Sequence, residues 1–100
     1  MGKYIFIKYP ALFEINNDEI SITFPDIPEC LSCAFNKREA MRMAKDALRL
    51  ALHNVRIEQL PPKIFPINRF TSKNMYIRTI SVKMEIKHKL IIDKNAVDLL

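Results

Sequence analysis

Apolar and polar residues alternate with a period of two in three stretches of this chain, and with a period near 3.6 in one. Ile20, Ile22 and Phe24 alternate with Ser21 and Thr23, the pattern of a strand with one face buried. Tyr4 to Ile15 also reads as a strand. Beyond Pro10, its residues Ala11, Phe13 and Ile15 share one face, and Leu12 and Glu14 take the other. Pro10 marks a bend, an edge position or a break. Between the two strands, Asn16-Asn17-Asp18-Glu19 supplies residues that tolerate left-handed backbone, so an antiparallel hairpin is predicted. Thr79 to Lys87 alternates again, with Ile80, Val82, Met84 and Ile86 on one face and Thr79, Ser81, Lys83, Glu85 and Lys87 on the other. Tyr76 is an alternative start for that strand.

The helical stretch follows a short predicted strand, Cys30 to Phe35. Asn36 is a good N-cap, with Glu39 three residues on. Ala40, Ala44, Ala47, Leu48, Ala51 and Val55 recur at spacings of three and four, widened by Met41, Met43 and Leu52. Arg38, Arg42, Lys45, Arg49, His53 and Arg56 lie opposite. The spacing predicts a helix from Asn36 to about Val55. Leu60-Pro61-Pro62 and Pro66 cannot continue it, so residues 58–75 form a long connection. The last stretch, LIIDKNAVDLL, suits a short helix capped by Asp93.

The predicted order is β-β-β-α-β, an α+β fold in which one helix packs on a small mixed sheet. The last strand is expected to pair in parallel with an earlier one through a right-handed crossover. At one hundred residues, 1–100 is read as a single domain, with 88–100 as a C-terminal extension.

Charge refines this picture. Net charge is +5, but residues 1–35 carry two bases and five acids, whereas 61–100 carry eight bases and three acids. An acidic front and a basic rear suit two kinds of partner. No apolar run approaches the ~20 residues of a membrane span. The start, MGKYIFIKYP, lacks the features of an export signal. A cytoplasmic protein with reduced cysteines is expected.

Four constellations carry candidate chemistry. Cys30 and Cys33 form a CxxC, but in a strand a spacing of three puts the sulfurs on opposite faces, and His53 and His88 stand alone. The cysteines are therefore read as packing residues, with no metal and no cofactor expected. Glu14, Asp46 and Glu85 are the nearest candidates for a metal-dependent nuclease, and nothing in their spacing gathers them. No catalytic residue is assigned. Arg38, Arg42, Lys45, Arg49 and Arg56 on the helix, with Lys83, Lys87, Lys89 and Lys94 behind, are candidate phosphate contacts. The solvated face of an amphipathic helix and an edge strand protected by lysine is the preferred reading of them. Asp26-Ile27-Pro28-Glu29 is an acidic corner stiffened by two prolines with Pro25, and so costs little entropy to dock on a partner.

The run YPALFE, then ISITFPDIPECLS, then NKREAMRMAKDALRLAL resembles the HicB family of antitoxins. The resemblance rests on Tyr9, Pro10, Phe13, Phe24, Pro25, Asp26, Pro28, Cys30, Glu39, Ala40, Ala44, Ala47 and Leu48. Glu19 and Glu29 stand where the family usually has glycine. The resemblance implies a partial ribonuclease-H-like fold and a role in binding and sterically blocking a small HicA-type RNase toxin. It also implies a homodimer or larger assembly, and in many members operator DNA as a second partner, with residues 88–100 too short for a complete DNA-binding element. Under this reading Asp26, Ile27, Pro28 and Glu29 bind the toxin, and Arg38, Arg42, Lys45, Arg49, Lys83, Lys87 and Lys89 are the candidate nucleic-acid contacts. A dimeric operator-binding regulator is the alternative, and a metal-dependent nuclease the third reading.

Overall fold

The computed structural model describes residues 3–65, 72–87 and 90–92. The predicted hairpin is formed by β1 (Lys3–Asn16) and β2 (Glu19–Thr23). They pair antiparallel, with Phe13 opposite Ile22 and both fully buried. The reversal uses Asn17 at φ 54°, a left-handed value that asparagine tolerates. β1 runs unbroken through Pro10. Because β2 pairs only with Leu12–Asn16, β1 has one partner strand at Pro10. Of the three readings of that proline, the edge position holds.

β3 (Leu31–Ala34) is shorter than the stretch expected, and leads into α1 (Lys37–Leu52). The Asn36 side chain accepts the Glu39 N–H at 2.8 Å, and the Glu39 carboxylate accepts the Phe35 N–H at 3.0 Å. Two N-terminal donors are thereby satisfied reciprocally. Ala40, Ala44, Leu48 and Leu52 form the buried stripe. The helix ends before Val55. His53 is its C-cap, and Asn54 turns left-handed at φ 67° and donates its N–H to the Ile91 carbonyl at 2.9 Å. Val55 and Arg56 then form β4, so neither belongs to the helix. A short 3-10 turn, Ile57–Gln59, follows.

β5 (Met75–Lys87) begins four residues before Thr79 and pairs with β1 from Glu14 to Lys3. β6 (Leu90–Ile92) occupies the start of the stretch expected to be helical; residues 93–100 lie outside the described residues. The sheet order is β3-β2-β1-β5-β6-β4.

Every pairing among these strands is antiparallel, which corrects the expected mixed sheet and its parallel crossover. The reason lies in the connection. α1 starts near the β1–β2 turn, where the Lys37 ammonium sits over Tyr76, and ends near Ile91 at the opposite end of the sheet. A strand starting there would have run parallel to β1. Instead β5 begins at the other end, where the Ile15 N–H meets the Asn74 carbonyl beside the β1–β2 turn. The fifteen residues from Leu60 to Asn74 can span up to roughly 50 Å, enough to link the two ends of the sheet.

The core lies between α1 and one face of the sheet, where Phe13, Ile22, Phe24, Leu48, Ile80 and Met84 are fully buried. Among the described residues, no helix is long and apolar enough to cross a membrane.

Candidate partner-binding site

The corner between β2 and β3 is built from two successive tight turns. The Ile27 N–H donates to the Phe24 carbonyl and the Cys30 N–H to the Ile27 carbonyl, each at 2.8 Å. Pro25 and Pro28 remove backbone freedom at both turns. Ile27 points into the core and is 1% exposed.

Asp26 is turned toward the chain itself. Its Oδ1 accepts the backbone N–H groups of Ile64 at 3.2 Å and Phe65 at 3.0 Å. Beside it, the Tyr9 hydroxyl donates to the Pro61 carbonyl, and the Lys63 ammonium lies 5.5 Å from the Tyr9 ring centre. Burial, reinforced by the negative charge of Asp26, raises the Tyr9 pKa. Tyr9 and Asp26 together hold the segment after the double proline against the corner. Of the four corner residues, only Pro28 and Glu29 are exposed to solvent.

Next to Glu29 is a groove of about 360 Å³. One wall comes from Glu29, Leu31 and Ser32, the other from Met43, Ala47 and Leu50 of α1. Leu31 is 64% exposed and Leu50 79%. Asp46 stands at the rim, 3.4 Å from Arg49. The groove exists because the apolar arc of α1 is wider than the sheet beneath it. Met43, Ala47, Leu50 and Ala51 form a second stripe beside the buried one, and the sheet ends at β3 before reaching it. The sequence does carry a signal for this: Leu50 interrupts a polar face, and Met43 lies off the four-residue alanine spacing.

Cys30 and Cys33 lie on opposite sides, the first buried and the second exposed, and both are free. Burial, helped by Glu29, pushes the Cys30 thiol up to about 11, which suits packing and not thiolate chemistry. Among the described residues, no group of three His, Cys, Asp or Glu side chains could hold a metal ion. The carboxylates considered for nuclease chemistry do not converge. Glu14 and Glu85 are separated by ten β1 positions in the register, roughly 33 Å at about 3.3 Å per residue, and Asp46 is across the sheet on α1.

The basic residues are divided as well. Arg38, Arg42, Lys45 and Arg49 belong to α1, with Arg42 3.9 Å from Glu39 and Arg49 engaged with Asp46. Lys83 lies on the other face of the sheet, its ammonium 4.7 Å from the Tyr4 ring centre. The Lys87 side chain and all of Lys89 and Lys94 lie outside the described residues.

The stiff corner and the alanine-spaced helix are parts of one continuous match: residues 9–97 fit the family described as the HicB-like antitoxin of bacterial toxin-antitoxin systems. The chain belongs to the HicB-like antitoxin family. It is also similar to a protein named "Antitoxin HicB 2" from Photorhabdus laumondii, 43% identical over 42 residues. That segment is 42% of this chain and 30% of the relative, so the comparison covers less than a third of the relative's length. Within the HicB-like family match fall Tyr9, Asp26, the corner, the groove and α1.

Proposed function

We propose that this protein is the antitoxin of a HicA-type RNase toxin and acts by binding: it sits over the toxin's active site and keeps RNA out. Family membership supports the antitoxin role. The observation that carries the binding site is the groove beside Glu29, where exposed Leu31 and Leu50 meet an exposed carboxylate at the tip of a rigid corner. An RNA-cutting protein needs a basic surface, and a stiff, apolar and acidic ridge is complementary to one. The corner is held from behind by Tyr9 and Asp26, so docking it costs little ordering entropy. Pro28 and Glu29 make the contact, while Ile27 and Asp26 hold the shape.

The test pairs the purified protein with a HicA-type toxin whose catalytic histidine has been replaced. Calorimetry should give a complex that weakens as salt rises, and co-expression with the active toxin should restore growth. Absence of any complex at low salt would overturn the proposal.

A further inference from the structure

The groove has a companion feature that narrows what fits it. β3 is the terminal strand of the sheet and, among the described residues, pairs with β2 alone. A terminal strand leaves a row of backbone N–H and C=O groups unpaired on its outer side. Sheet edges of this kind are protected by lysine, proline, bulges or shortness when they serve no purpose. β3 reads Leu31-Ser32-Cys33-Ala34 and carries no lysine, proline or bulge, so its short length alone guards it. Along it, Ala34 is buried against the helix side, Cys33 is exposed, and Leu31 and Ser32 at its start line the groove.

We infer that the groove and the β3 edge are one docking site, which receives an extended segment of the partner protein as an added antiparallel or parallel strand. This rests on the antitoxin reading and specifies its binding mode. A strand laid ~4.8 Å outside β3 would satisfy the edge with its own backbone. Every second side chain would then descend into the groove against Met43, Ala47 and Leu50 of α1. A helix could fill the groove but would leave the β3 backbone groups unmet. The chemistry of the segment follows: apolar residues at alternate positions, and a basic residue near the end that meets Glu29. Glu29 is exposed and makes no ion pair among the described residues. Main-chain bonds supply affinity in this mode, and the groove supplies selectivity.

The experiment uses the full chain and a HicA-type toxin with its catalytic histidine replaced. Leu50→Lys introduces a charge into the groove at a site 79% exposed, so folding is untouched; Lys8→Glu, exposed on β1 on the sheet face away from α1, is the control. Binding is read by calorimetry, and amide exchange at Leu31–Ala34 is followed with and without the toxin. The inference requires two results together: Leu50→Lys weakens binding at least about ten-fold with an unchanged melting curve, and the β3 amides exchange more slowly in the complex. If the wild-type chain binds but either result is missing, the strand-addition mode is wrong and the antitoxin reading stands. If the wild-type chain does not bind, both fall. If Leu50→Lys instead splits an oligomer of this chain while toxin binding is unchanged, the occupant is a second copy and the inference is overturned.

Discussion

The Asp26 carboxylate accepts the Phe65 N–H at 3.0 Å, joining residues thirty-nine positions apart. Together with the bond from Ile64, it fixes the chain just after the double proline. An acid that reads in sequence as surface charge is thus a clamp on the connection that makes β5 antiparallel.

Removing the clamp should cost stability. Asp26→Ala leaves two N–H groups without their acceptor and is expected to destabilise the protein by about 2–3 kcal/mol. Asp26→Asn keeps an acceptor oxygen but loses the charge, and should cost about 1 kcal/mol. Urea denaturation measures both. An unchanged midpoint for Asp26→Ala would mean that the carboxylate supports nothing in the fold.

Tyr9 should give the fold a soft alkaline limit. Its folded pKa is raised above 10, chiefly by burial, so the folded state holds that proton where the unfolded chain has released it. The associated stability is complete below pH 10 and is lost as pH rises from there through the folded value. Tyr76, also raised by burial, acts in the same window. Cys30, pushed up to about 11, begins to contribute to the loss from about pH 9. Tyr9→Phe should remove its hydrogen bond to Pro61, costing about 1 kcal/mol at pH 7, and should flatten part of the decline above pH 10. Melting temperatures across pH 7 to 11 test this, and parallel profiles for the two proteins would refute it.

The two cysteines should separate cleanly by reactivity. Cys33 is exposed and Cys30 buried with a raised pKa. A thiol reagent at pH 8 is expected to label one equivalent in the native protein, at Cys33, and a second only in denaturant. Equal native rates at both sites, read by peptide mapping, would contradict the buried position of Cys30.

The alanine stripe of α1 should resist enlargement. Ala44 has no exposed surface, and the added side chain of Ala44→Leu would have to push the helix off the sheet. A loss of about 1–3 kcal/mol is expected from overpacking. Lys45→Leu, one position along on the exposed side, should change stability by less than about 0.5 kcal/mol.

Much of this protein was determined locally. The hairpin, the Asn36 cap and the buried stripe Ala40, Ala44 and Leu48 follow from periodicity and capping chemistry, which act within a few residues. The split of Cys30 from Cys33 follows from strand alternation for the same reason. The two- and three-residue strands β4 and β6 were not legible, because so few residues carry no period, and Val55 satisfied the helical spacing as well as the strand. What only the tertiary structure decided was direction and depth. Strand polarity depended on where a long connection was tied down, through Tyr9 with Pro61 and Asp26 with Phe65, contacts that no local pattern encodes. The groove depended on the sheet stopping at β3 while the apolar arc of α1 continued past it. Sequence shows how wide that arc is; only packing shows how much of it is left uncovered.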